Sequence, residues 1–197
     1  MKLSQIDLWC KFHDVAINDN TAQTNKYRMY LSLTIIVDNH AWSRMVAMAV
    51  VSDETKKTYK WILVCLLHAT DGLAPHVLFT DVDPAMIAAI HETLPMTKHN
   101  YCIWHIHKNL EKNLKGKLHG KYADFVKAWN KCRNSFSENE FKKKWCDLLI
   151  NYPAARKYLK RALGVDVTGW ALCYTYRSFN VGIQSTQRVE SYNSLIK

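Results

Sequence analysis

The run Val77-Leu78-Phe79-Thr80, followed at once by Asp81-Val82-Asp83-Pro84, constrains this chain more than any other stretch. Four residues that read as a short buried strand deliver Asp81 at their C-terminal end. Asp83 is placed to cap the helix that follows, because a short side-chain oxygen accepts the free N–H groups of a first turn. Pro84 then takes the first helical position, where a missing N–H costs nothing. Met86, Ile87, Ile90 and Leu94 recur at helical spacing and predict a helix packed on a sheet. In open α/β sheets, ligands bind beyond the carboxyl ends of the strands, so Asp81 is the expected centre of a site.

The rest of the chain supplies partners for that strand. A weak lead-in precedes a short strand, His13–Asn18, closed by Asp19. Tyr27, Met29, Leu31, Leu33, Ile35 and Val37 then alternate with mostly polar residues, the period of a half-buried strand. Asp38-Asn39-His40 turns the chain, and Trp42–Val51 returns as a third strand. Ser52 and Asp53 are placed to cap a helix running to about His68, with Tyr59, Ile62, Leu63, Leu66 and Leu67 on one face and Gly72 ending the connection. A fifth short strand spans His99–Cys102. The expected class is therefore α/β, in the order β-β-β-α-β-α-β, with one acid closing the first strand and another closing the fourth. That order is the ribonuclease H-like arrangement, a mixed five-stranded sheet in which those two strands are neighbours.

After Ile106 the pattern turns helical. Phe125, Trp129 and Cys132 mark one helix, and Ser137 opens another with a capping-box-like start and Glu140 at its third position. Phe141, Trp145, Leu148 and Leu149 give that helix an apolar stripe, and Pro153 opens a third through Leu163. Aromatic residues at these spacings are expected in a core, with stacking on bases as the alternative. The expected organisation is a sheet core over 12–105, a helical insertion over 106–181, and a last core helix over 182–197. Seven residues follow Glu190, so that helix is expected to be short.

Charge sharpens the division. From Lys98 to Arg161 there are 16 basic and 5 acidic residues, a balance of +11. The remainder holds 11 basic and 12 acidic residues, a balance of −1. A solvated lysine-rich face is one reading of this segment; the other is an electrostatic footprint for the phosphates of nucleic acid. The first fourteen residues lack the continuous apolar core of a secretory signal, and no apolar run reaches the roughly 20 residues that cross a bilayer. Neither a membrane nor a small-molecule substrate is expected. The six cysteines are scattered without a paired framework and read as buried thiols of a reducing compartment.

Five stretches in order carry a resemblance: DNTAQTNKYRM (19–29), SDET (52–55), FTDVDPAM (79–86), HNYCIWHI (99–106) and STQRVESYNS (185–194). Over roughly residues 12–197 the chain resembles the transposase domain of Mutator-like elements, which also occurs in plant far-red-response regulators. The resemblance implies a DDE site with Asp19, Asp81 and Glu190 as its acids, nuclear and acting on DNA at transposon ends and at a target. It also implies two Mg²⁺ (or Mn²⁺) ions, because paired hard cations held by carboxylates stabilise both oxygens of a phosphodiester displacement. The acids stand 62 and 109 residues apart, so only the fold can bring them together.

Cys102 and His105 match a C-x-x-H element of the resemblance. One turn of helix would put them on one side, for a structural contact or for zinc, which needs four ligands where the chain offers no distal histidine pair. Arg188 is placed to contact a DNA phosphate or to pair with an active-site carboxylate, and Lys108, Lys112 and Lys115 are the phosphate contacts expected from the basic segment. The family works as multimers, and a homo-oligomer is expected without an interface being assignable. It also carries a separate zinc-dependent DNA-binding region, so recognition of terminal repeats is expected to come from elsewhere. Three activities compete: a DDE transposase domain that cuts and joins DNA, a non-catalytic DNA-binding or transcription-regulating derivative or inactive fragment, and a ribonuclease H-type nuclease. Three intact acids favour the first; the missing flanks favour the second; the basic insertion and late glutamate argue against the third.

Overall fold

Leu33, Ile35, Ile36 and Val37 are branched, apolar and consecutive enough to fill both sides of a pleated strand, and they sit in the sheet interior. The computed structural model describes residues 1–21, 27–189 and 192. Its strands are β1 (Val15–Thr21), β2 (Tyr30–Val37), β3 (Ser43–Val51), β4 (Val77–Thr80) and β5 (Lys98–Tyr101). They form one mixed sheet in the order β3-β2-β1-β4-β5. The β1–β2 and β2–β3 pairs are antiparallel, and β1–β4 and β4–β5 are parallel. The strands closing on Asp19 and Asp81 are thus neighbours.

Helices α1 (Leu3–Phe12), α2 (Lys56–Ala69) and α3 (Pro84–Thr93) belong with one face of this sheet. Trp9, Tyr59, Leu63, Leu66, Met86 and Ile90 pack there with Ala16, Ile36 and Leu78. The opposite face carries Val15, Ile17, Leu33, Ile35, Val77 and Phe79, covered by Ile183 and Val189. Burying each such side chain contributes roughly 1.5–3 kcal/mol, enough to fix which residues of every strand point which way.

Several sequence expectations change on physical grounds. The lead-in is helix α1, anchored by Trp9, which is fully buried and donates from Nε1 to the Leu73 carbonyl at 2.9 Å. β1 does not stop at Asn18: its antiparallel ladder with β2 continues through Asp19↔Leu33 and Asn20↔Ser32. β2 is not half-exposed; Ser32 and Thr34 are buried because Asn18 Nδ2 donates to both hydroxyls at 3.0 Å, satisfying the polar face from within. The cap of α2 is Thr55, not Ser52 or Asp53, whose carboxylate instead accepts from Thr55 N and the Thr58 hydroxyl. Asp83 caps α3 as expected, accepting from Ala85 N at 2.8 Å and Met86 N at 2.9 Å with Pro84 at the first position.

The chain divides into a sheet unit, 1–104 with 179–197, and a helical unit, 105–178. The division falls just inside α4 (Ile103–Leu118). The helical unit continues with α5 (Tyr122–Arg133), α6 (Glu138–Asn151), α7 (Pro153–Ala162) and α8 (Leu172–Thr175). Ser137 caps α6 by accepting from Glu140 N, and Pro153 starts α7. Its core is aromatic: Trp129 stacks on Trp170 at 5.9 Å, and Phe141 meets the Trp170 edge at 5.6 Å. Phe125, Trp129, Phe141 and Trp170 are all buried, so these rings are packing and not stacking platforms.

Candidate functional site

Parallel register places the two described acids. Val15 stands beside Val77 and Ile17 beside Phe79. The ladder ends at Ile17 and Phe79; Asp19 lies two residues beyond that rung on β1, and Asp81 two residues beyond it, directly after β4. Side chains alternate along β1, so Asp19 shares the face of Val15 and Ile17. Asp19 is 7% exposed and Asp81 half-buried. A carboxylate at so buried a position favours the company of positive charge, since desolvating an isolated anion is costly.

The face of Val15, Ile17, Val77 and Phe79 is the one covered by the C-terminal segment, and that segment is tied down by specific bonds. Ile103 N donates to the Gln184 carbonyl at 2.9 Å. Thr186 donates to the Cys102 sulfur from its backbone N at 3.2 Å and from its hydroxyl at 3.4 Å. Arg188 Nη1 donates to the Ala41 carbonyl at 2.8 Å and the Ser43 hydroxyl at 3.3 Å, and the Tyr192 hydroxyl to the Ser43 carbonyl at 2.6 Å. Val189 is fully buried between these anchors. Glu190, the third acid expected from the sequence, lies outside the described residues.

Cys102 is not on a helical turn with His105. It occupies the step from β5 into α4, where its N–H donates to the Thr80 carbonyl at 2.7 Å and its sulfur serves Thr186. Cys102 lies in the sheet unit and His105 in the helical unit, and no group of three or more His, Cys, Asp or Glu suited to a metal occurs among the described residues. Arg188, expected at a phosphate or a carboxylate, has its guanidinium bonded to the turn before β3, a structural use invisible in the sequence.

A second polar cluster lies at the same end of β1. Asn20 Nδ2 donates to Glu54 Oε1 at 3.0 Å and to the Tyr59 hydroxyl at 2.8 Å, while that hydroxyl donates to Glu54 at 3.2 Å. Burial first, then the negative charges of Glu54, Asp83 and Asp81, push the Tyr59 phenol well above its ordinary range. The carboxylates therefore make a common negative field at this end of the sheet. Sequence reasoning missed Tyr59 as more than a packing residue; the neighbouring Asn20 and the SDET stretch were the available signal. Asp53 in that stretch is held down to about 2 by hydrogen bonds from the Thr58 and Thr55 side chains.

The helical unit carries the chain's net charge. Residues 105–178 hold 16 basic and 6 acidic residues, whereas the sheet unit holds 11 of each. Along α4, Lys108, Lys112 and Lys115 are exposed, opposite buried Ile106, Leu110 and Leu114; Lys115 pairs with Glu111 at 2.9 Å. On α7, Lys157, Lys160 and Arg161 are exposed, and no acidic residue occurs between Asp147 and Asp166.

Residues 15–109 match the family described as MULE transposase domain. Protein FAR-RED IMPAIRED RESPONSE 1 of Arabidopsis thaliana is 28% identical over 189 residues, covering 95% of this chain and 23% of that protein. Protein FAR1-RELATED SEQUENCE 4 of the same plant is 31% identical over 192 residues, covering 96% of this chain and 26% of that protein. The chain thus spans about a quarter of the length of these curated relatives. Among solved structures, the HTLV-2 integrase catalytic core domain in complex with magnesium is similar at 18% identity, covering 67% of this chain and 82% of that one with a TM-score of 0.33. A simian T-cell lymphotropic virus intasome chain gives 15% identity, 70% and 47% coverage and a TM-score of 0.36. Residues 15–109 of this chain thus match the MULE transposase domain family, and nearly the whole chain is similar to the FAR-RED IMPAIRED RESPONSE 1 and FAR1-RELATED SEQUENCE proteins.

Proposed function

We propose that the chain is the catalytic region of a DDE transposase, with a ribonuclease H-like core that cuts and joins DNA in the nucleus. The observation that supports this is the parallel β1–β4 pairing, with Asp19 and Asp81 each two residues beyond its last rung, Ile17 and Phe79. Two carboxylates on adjacent strands are hard oxygen donors of the kind Mg²⁺ or Mn²⁺ takes. A bound pair of such cations would supply charge at the attacking and leaving oxygens of a phosphodiester. Asp19 and Asp81 would hold those cations, and Glu190, in the STQRVESYNS stretch of the resemblance, is assigned as the third ligand. Asp83 is committed to capping α3 and Arg188 to the β3 turn, so neither is assigned a ligand role.

The helical unit, the insertion of this fold, attracts the DNA backbone through Lys108, Lys112 and Lys115 and through α7. Release of counterions from DNA gives such contacts a strong salt dependence without reading sequence. A second reading, in which the domain binds DNA as part of a regulator without cutting it, is favoured by the relatives, one of which is named for a far-red response. A nicking assay on supercoiled DNA with Mg²⁺ or Mn²⁺ separates the two. Cleavage by the native chain that falls at least about a hundredfold in Asp81→Asn supports catalysis; DNA binding with no metal-dependent cleavage leaves the regulatory reading.

A further inference from the structure

Arg133, the last residue of α5, is a cation in a place that a lone cation does not favour. It is 8% exposed, and burial alone pushes its guanidinium below the usual value, with no carboxylate acting the other way. Nη1 donates to Asn134 Oδ1 at 2.7 Å, whereas Nε is buried and meets no acceptor among the described residues. A guanidinium keeps its proton under ordinary conditions, so it does not escape the cost of burial by becoming neutral. Such a charge is stable inside a protein when an anion or a full set of acceptors answers it.

The surroundings add donors instead of acceptors. Trp129 lies one helical turn before Arg133 on the same face of α5, about 5–6 Å away. Its indole Nε1–H is likewise buried without an acceptor. The His107 ring, from α4, stands 4.6 Å from the Trp129 ring and feels the Arg133 charge, so these side chains border one space. Buried donors without partners are rare in folded proteins, and here two stand together beside a cation.

The shape of the open donors narrows what answers them. With Nη1 bonded to Asn134, the open side of the guanidinium is the edge of Nε and Nη2. That edge presents two parallel N–H groups, the fork that takes two oxygens of one oxyanion. The Trp129 N–H is a third donor. A carboxylate has two oxygens to offer; a phosphate has enough for all three. The unit around Arg133 holds 16 basic against 6 acidic residues, so its field gathers anions.

We infer that Arg133 and Trp129 form a binding site for one phosphate group, with the guanidinium edge on two of its oxygens and the indole N–H on a third. The group is free phosphate or one phosphate of a nucleic-acid backbone, which share this chemistry. Exposed lysines attract a polyanion from any direction, whereas this site fixes a single group by geometry. It stands whether or not Asp19 and Asp81 hold a metal.

NMR of the full chain, following the Trp129 indole N–H and Arg133 Nε–H resonances as inorganic phosphate is added, tests it. Both resonances should shift and saturate. Arg133→Lys keeps the charge without the fork and should weaken phosphate binding at least about tenfold. Trp129→Phe keeps a ring without the donor and should weaken it about threefold. Arg133→Met removes the buried charge, so phosphate should raise the melting temperature of the native chain and not of this variant. A short DNA duplex that moves the same two resonances assigns the site to a backbone phosphate; a duplex that leaves them in place assigns it to free phosphate. Resonances that phosphate does not move in the folded native chain, or an unchanged phosphate affinity in Arg133→Lys, overturn the inference. Equal melting shifts in the native chain and Arg133→Met also overturn it, because general exclusion of phosphate from the surface acts on both alike.

Discussion

The two units solve opposite electrostatic problems. The sheet unit is neutral overall and brings Glu54, Asp81 and Asp83 to bear together on Tyr59, whereas the helical unit carries the whole excess of +10 around buried aromatic rings. A negative cluster suits a cation; a diffuse positive shell suits a polyanion. Keeping them on separate folding units lets each hold its charge without neutralising the other within one core. In the proposed activity, the first unit does chemistry and the second holds the backbone of the substrate.

The contrast can be broken one unit at a time. Trp129 is fully buried, stacked on Trp170 and met edge-on by His107. Trp129→Ala should cost about 3–5 kcal/mol in a denaturant melt of the helical unit, while a divalent-metal titration of the sheet unit stays unchanged. Changing Lys157, Lys160 and Arg161 to Gln should leave both melts alone and make the slope of log K for DNA against log salt shallower by about 2 to 3. An unaltered slope would mean that these cations are solvated surface. Thr186→Val removes the hydroxyl bond to Cys102 and should destabilise by about 1 kcal/mol in urea, loosening the segment that leads to Glu190.

The smallest effect is one of pH. Burial first, then the Arg133 charge, hold the His107 imidazole below its usual value, against a hydrogen bond with Asn130 that works the other way. Its folded pKa lies below the unfolded one, so the neutral ring stabilises the folded form above the unfolded value of about 6.5, and that contribution is lost as pH falls below it. Melting temperature should therefore drop between neutral and mildly acidic pH, and His107→Phe should flatten the drop.

The framework around Asp81 was legible because local chemistry set it. Asp83-Pro84 is a helix start in any context, and a four-residue apolar strand ending in Asp81 can point that acid only off the end of a sheet. The pairing of β1 with β4 was readable from strand order. What could not be read was set by distant parts of the chain. Trp9 holds the lead-in helix in place through the Leu73 carbonyl, 64 residues away. Ser32 and Thr34 look solvent-facing until Asn18 is known to face them. Cys102, expected in a structural contact or at zinc, has a sulfur that accepts from Thr186, 84 residues on. Local pattern carries no information about such partners, and these are the places where β1, β2 and the C-terminal segment depart from the sequence expectation.

The central claim is that Asp19 and Asp81 together bind a divalent cation, and Mn²⁺ titration followed by electron paramagnetic resonance tests it without requiring turnover. The native chain should bind Mn²⁺ competitively with Mg²⁺, and Asp19→Asn and Asp81→Asn should each weaken binding by at least about tenfold while the melting curve keeps its shape. Equal Mn²⁺ affinity in the native chain and both variants, or no binding by the folded native chain, would contradict it.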